Sequence, residues 1–165
     1  MKSPICSVCL KSGMLCRACN EKVKEGLISD TVVRVSRILL KLSEDIKSLK
    51  DIAVKKAVES DGLIVVVCGK GDAAKVIGKS GLTVKKLERE LGKPVKIVEE
   101  AGSVKEFLAG LLHPVPIVGV NVLYKQKDEV LRVLVGRSTG RHINISDLRE
   151  IVKKVFGKDV EIIHA

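Results

Sequence analysis

Two sets of residues could do chemistry by their types and spacing. The first is Gly78-Lys79-Ser80-Gly81. Two glycines separated by a basic and a small residue make a turn with no Cβ at either end, so its amides can come within hydrogen-bond reach of a sugar-phosphate backbone. Ile77, Lys70, Lys75, Lys85, Lys86, Arg89, Lys93 and Lys96 surround it, and within residues 62–98 the only acidic residues are Asp72, Glu88 and Glu90. Lys79 and Ser80 would face the strand. The second set is Cys6-x2-Cys9 and Cys16-x2-Cys19, two pairs joined by six residues. Each pair aims two sulfurs the same way, and four thiolates can close a tetrahedron around zinc.

The short connection, relieved by Gly13, suits a compact knuckle better than a zinc ribbon. Two disulfides, a redox pair and an iron–sulfur cluster are the alternatives. A reducing compartment disfavours disulfides outside hyperthermophiles, whereas a cluster uses the same four thiolates. Structural zinc (Zn2+) is the expectation: four thiolates leave no open position for catalysis, and the ion would fold a segment too short for its own core. Cys68 ends the apolar run 63–67 and reads as a small buried residue.

Two other phosphate motifs nearly fit. A nucleotide-phosphate loop ending in Gly78-Lys79-Ser80 would need a glycine where Ala73 stands, and no apolar strand ending in Asp offers a magnesium site. Gly69-x-Gly71-x-x-Ala74, with Glu99 downstream, resembles a dinucleotide fingerprint, but Gly78 and Gly81 would cut the helix that must follow. No nucleophile–base–acid set or carboxylate pair is visible, and His113, His142 and His164 are scattered, so no enzyme is expected.

Composition narrows the class. Of 165 residues 45% are apolar, enough for one or two small cores, and the formal net charge of +10 suggests a polyanion partner. Aromatics are 2%, which argues against modules that stack bases on exposed rings. No signal peptide, membrane-spanning run or basic amphipathic helix with aromatic anchors is seen, so no membrane association and a cytoplasmic location are expected. Dense charge with Val/Ile-rich strands is compatible with a thermophilic source.

The elements that must hold these residues form an internal repeat of period 65 that lays out without a gap. Gly92-Lys93-Pro94-Val95 matches Gly157-Lys158-Asp159-Val160, and the same shift pairs Gly71 with Gly136 and Leu87 with Val152. Each copy reads as helix, strand, strand, helix, helix, strand. In the first, Val32, Val35, Leu39, Leu42, Ile46 and Leu49 recur at helical spacing behind a Ser29 or Asp30 cap. Ile52, Val54 and Val58 alternate as a strand, broken at Lys56, and Asp61-Gly62 suits a left-handed hairpin turn. Residues 63–68 form a buried strand, 73–77 a short helix, 82–91 the next helix with Val84, Leu87 and Leu91 inward, and 95–98 the closing strand. In the second copy Ser103-x-x-Glu106 is a capping box, 118–125 and 130–135 pair as a hairpin, and Leu148 to Phe156 mark the last helix before strand 160–163. The shift lands the loop on Ile143-Asn144-Ile145-Ser146, so the second copy lacks it, and any binding there would fall to the basic loop 137–142.

Val76-Ile77-Gly78-Lys79-Ser80-Gly81, followed by Val84-Lys85-Lys86-Leu87-Glu88 and Leu91-Gly92-Lys93, resembles a KH core of type II topology. With the repeat, residues 30–164 resemble the tandem KH region of archaeal NusA-like transcription factors, strongly over the first copy and weakly over the second. The family usually carries the loop in both copies, and the Cys-rich head is an addition to it. The resemblance implies an α+β protein of two KH-like domains, three-stranded sheets packed on helices, at 29–101 and 102–165, behind a zinc module at 1–28. It implies a clamp on about four nucleotides of single-stranded RNA, with Ile77, Val84 and Ile97 flooring the groove, and a role in transcription elongation or termination or in RNA processing. RNA polymerase or the ribosome would be the larger partner. The rival expectation is a protein-interaction adaptor in which RNA binding is secondary. The oligomeric state stays open.

Overall fold

A computed structural model describes residues 1–126, 128–137 and 143–165. The chain is α+β and divides into two units, Met1–Glu59 with Leu63–Glu100, and Ser60–Gly62 with Ala101–Ala165.

In the first unit two short helices, α1 (Ser7–Ser12) and α2 (Arg17–Lys24), precede α3 (Asp30–Asp45). Ser29 caps α3, its hydroxyl accepting from the Val32 amide at 3.1 Å. The apolar stripe Val32, Val35 and Leu39 is buried, as its spacing requires. The helix stops sooner than the stripe suggests: Ile46 is extended and Leu49 sits in a 3₁₀ turn, Lys47–Asp51. The i, i+3 spacing of that turn still delivers Leu49 to the core, so the sequence pattern runs through a change of helix type.

Strands β1 (Val54–Glu59) and β2 (Ile64–Cys68) are antiparallel, and β3 (Val95–Glu99) joins β2 in parallel, giving the order β1-β2-β3. The parallel crossover runs through α4 (Ala73–Ile77) and α5 (Leu82–Leu91). Pairing steps from Val54↔Cys68 to Lys56↔Val67, a bulge that accounts for the broken alternation at Lys56. The hairpin corrects one expectation: Glu59↔Ile64 is the closing pair and neither Asp61 nor Gly62 is left-handed, so the connection is the four residues 60–63 rather than a left-handed turn at Ser60-Asp61-Gly62.

The Cys-rich head is not a module apart. Ile5, Cys9, Leu10, Cys19 and Ile28 share one apolar cluster with Val32, Val35 and Leu39 of α3. Lys2 bridges to Ala53, and the Ser3 hydroxyl donates to that of Ser36 at 2.8 Å.

The second unit holds α6 (Val104–Leu112), β4 (Ile117–Lys125), β5 (Asp128–Val135), α7 (Ile145–Phe156) and β6 (Asp159–His164). Ser103 caps α6 by accepting from the Glu106 amide at 3.2 Å, while the Glu106 carboxylate accepts from Gly102 rather than from Ser103 itself. Phe107 and Phe156 meet edge to face at 5.1 Å. The sheet order β4-β5-β6 repeats the first sheet, antiparallel then parallel, with a bulge between Ile117 and Gly119.

Equivalent hydrogen bonds fix the true alignment of the two sheets. Gly69 donates to Ala53 as Gly136 does to Pro116, both at 2.8 Å, and Glu100 donates to Cys68 as Ala165 does to Val135. The three strands are therefore displaced by 63, 67 and 65 residues in turn, and the ungapped layout fails. The second hairpin is longer by four residues and the following connection shorter by two. Gly136 corresponds to Gly69, not Gly71, and at both glycines a Cβ would meet a side-chain atom at 2.9 Å, Asp72 Oδ2 or Pro116 Cγ. Residues 138–142 of the basic loop 137–142 lie outside the described residues, as does most of the stretch where a counterpart of α4 would fall.

Candidate nucleic-acid interface and four-cysteine site

The loop 78–81 is two left-handed glycines around a kink. Gly78, with φ 76° and ψ 172°, ends α4 by donating to Ala74 at 2.9 Å. A Cβ there would lie 2.2 Å from Thr83 Oγ1, and Thr83 is itself buried, so backbone and space both demand glycine. Ser80 (φ 53°) and Gly81 (φ 72°) are also left-handed. The Gly81 amide donates to Gly78 at 3.1 Å and that of Leu82 to Lys79. Among the described residues the Lys79 and Ser80 amides have no internal acceptor. Helices α3, α6 and α7 each carry a side-chain N-cap, but α5 opens on Gly81 with none. Its first turn has no side-chain acceptor and turns the positive end of its dipole toward the loop.

Lys70, Lys79, Lys85, Lys86 and Arg89 are exposed and, among the described residues, make no ion pair. Lys85, Lys86, Arg89 and Leu82 occupy the face of α5 opposite the buried Thr83, Leu87 and Leu91. Two other candidates are already engaged: Lys75 pairs with Asp72 at 3.1 Å and Lys93 with Glu59 at 2.7 Å. Lys96 is half-buried, and desolvation pulls its ammonium below the usual range. Of the apolar floor, Ile77 is exposed, Val84 is half-buried and Ile97 belongs to the core. Leu82, 58% exposed, flanks the loop on its other side and was not nominated by the sequence.

Asp72 also escaped the sequence reading. Burial pushes its carboxyl up, but the Ala53 amide at 2.9 Å and the Lys75 ammonium outweigh that and hold it below its ordinary 3.8. It ties the start of α4 to the strand edge. The glycines do separate α4 from α5, so the continuous helix of a dinucleotide fingerprint is absent there.

In the head all four Sγ atoms of Cys6, Cys9, Cys16 and Cys19 lie within 4.8 Å of one another, and the thiols are unbridged. A tetrahedron with zinc–sulfur distances of about 2.3 Å has edges of roughly 3.8 Å, so the donor set fits a metal ion such as zinc. Cys6 and Cys16 precede α1 and α2, while Cys9 and Cys19 sit one turn in and are buried. The Cys16 amide donates to Cys9 Sγ at 2.9 Å and the Cys19 amide to Cys16 Sγ at 3.5 Å. Gly13, left-handed at φ 78°, turns the chain between the pairs. The Cys9 amide and sulfur bring the Cys6 thiol down to about 7. At Cys9 the Cys16 amide favours the thiolate, but burial and the other three sulfurs push the thiol up to about 12. Four sulfurs this close cannot all ionise without a cation among them. Cys68 stands apart, buried, its thiol pushed up to about 12 by desolvation and donating to the Val98 carbonyl.

Arg37 of α3 was invisible in the sequence. One arm of its guanidinium reaches the Cys9 carbonyl at 3.3 Å across 28 residues of chain. No helix among the described residues is long and apolar enough to cross a membrane.

No family model matches the sequence, and no curated protein matches it. A solved structure described as the crystal structure of APE1850 is similar, with a TM-score of 0.59 and 19% identity over 78% of this chain and 96% of that one. Likeness at that identity concerns the fold, and about a fifth of this chain has no counterpart in it.

Proposed function

We propose that this chain is a non-catalytic, single-stranded RNA-binding protein of two type II KH-like units, in which only the first carries a working clamp and the cysteine head holds structural zinc. The observation that carries the reading is the loop 78–81. Free Lys79 and Ser80 amides and an uncapped helix start meet at one exposed turn, and Lys70, Lys79, Lys85, Lys86 and Arg89, unpaired among the described residues, lie on it and on the segments flanking it. Phosphates satisfy such amides and complement that dipole, and exposed Ile77 and Leu82 offer apolar contact to bases beside them. The shared strand order of the two units supports the tandem reading. A place in transcription elongation or termination, or in RNA processing, with RNA polymerase or the ribosome as the larger partner and the cytoplasm as the location, accords with the sequence resemblance.

The test is the double variant Lys79→Asp/Ser80→Asp, titrated with a fluorescent single-stranded RNA. Binding falls ten-fold or more and wild-type affinity drops steeply with salt. Unchanged affinity at moderate salt, with an intact circular dichroism spectrum, rejects the clamp.

One observation favours the adaptor reading. Edge strand β4 exposes Val118, Val122 and Tyr124, the last to 80%. A protein complex that survives nuclease treatment and is lost on Tyr124→Ser would support it.

A further inference from the structure

We infer that Arg37 is the positioning residue of the four-cysteine centre: its guanidinium orients the turn carrying Cys9 and supplies the positive charge that a metal held by four thiolates requires. The inference rests on reading the cluster as a metal site. Arg37 is half-buried on α3, the helix against which the head packs. Its Nη2 donates to the Cys9 carbonyl at 3.3 Å, but its Nε–H is buried with no partner among the described residues. An unmatched buried donor on a cation is destabilising, and an apolar side chain of similar length would pack there better. Among the described residues it makes no ion pair that would account for the charge.

The cysteines give that reason. A divalent ion with four thiolates carries a formal charge of −2 in a partly buried site, where a nearby guanidinium interacts more strongly than in water. The arm on the Cys9 carbonyl also fixes the backbone that aims the Cys9 sulfur, the role that outer groups play around metal ligands. With the thiols protonated, Arg37 is a half-buried cation with one buried, idle donor. With the metal bound, the same cation faces an anion. Its contribution to stability therefore changes sign with metal loading.

The test uses the full chain as Arg37→Met and Arg37→Lys. Zinc affinity is read by competition with a chromophoric chelator, and thermal midpoints are read with and without zinc. Arg37→Met weakens zinc binding about ten-fold or more. Its metal-free form melts at or above the wild-type temperature and its loaded form melts below. Arg37→Lys, which keeps the charge but not the planar fork, falls between. Should Arg37→Met not fold, Arg37→Gln, which keeps a donor for Cys9 without the charge, decides in the same way. Equal affinity, or the same loss of stability with and without zinc, overturns the role of Arg37 and leaves the metal site standing. A wild-type chain that binds no zinc overturns both.

Discussion

The two units share a sheet down to its irregularities and part company at the helix that follows the central strand. Both place a bulge in the first strand and a glycine amide just after the central one. In the first unit the next long helix begins at an uncapped Gly81, behind a turn with three left-handed residues. In the second, Gly157 aligns with Gly92 as the helix stop, yet α7 starts two residues earlier than α5 by that alignment and is capped by Asn144. Ile143 and Ser146 stand where the glycines would be. The second unit shows the more stable way to start this helix. The first departs from it at a cost in backbone conformation and unmatched donors, a departure that the proposed clamp would explain.

Metal removal should separate the stabilities of the two units most strongly. Structural zinc contributes about 10 kcal/mol to folding of isolated zinc peptides. The head here keeps some packing through Ile5, Leu10 and Ile28, so the loss should be smaller but still the largest of those considered. Chelation should strip hydrogen-exchange protection from α1, α2 and α3 and leave α6 and α7 protected. Equal loss in both units would mean that the head stabilises the whole chain.

Gly78→Ala comes next. It forces a glycine-only backbone on alanine and drives a Cβ into Thr83, at a cost of about 3 kcal/mol. Ile143→Ala, at the aligned position, should cost less than about 1.5 kcal/mol, since Ile143 is only partly buried. Urea denaturation of both variants checks the contrast. Similar losses would show that the loop conformation is not specially strained.

Much of this contrast was readable in the sequence. Gly78, Gly81 and Gly92 punctuate the chain so sharply that the bounds of α4 and α5 agree with those expected, and the break in alternation at Lys56 is the bulge itself. The four cysteines were legible because a ligand set is local in sequence. What stayed hidden depends on partners far along the chain. The 63, 67 and 65 displacements follow from strand pairing, which no ungapped comparison contains. Thr83 looked like any helix residue until Gly78 was seen resting on it. Burial of Cys9 and Cys19 against α3, which merges the head with the first unit, needed the packed core.

Acid should weaken the first unit through its paired carboxylates. Lys93, with Thr31 and Arg34, holds the Glu59 carboxyl below its ordinary 4.5 despite some burial, and Asp72 is likewise depressed. A carboxylate with a lowered folded pKa stabilises fully above its unfolded value and loses that contribution as pH falls through the folded one. The first unit should thus weaken below about pH 4.5, and Glu59→Gln should flatten the dependence. Thermal midpoints between pH 7 and pH 3, followed in the first unit by amide exchange, measure it. A profile that Glu59→Gln leaves unchanged would remove this network from the account.

The smallest effect probes the second unit. Asn144 Oδ1 accepts from the Ser146 amide at 3.2 Å, and Asn144→Ala should cost about 1 kcal/mol there. It should not alter RNA affinity, because α7 keeps its donors engaged with a cap where α5 offers them to a ligand. The informative outcome is the opposite one. If Asn144→Ala changed binding as much as the Lys79/Ser80 variant, the capped helix start would be touching RNA. The difference between the units would then be one of how each holds a strand, not of whether it does.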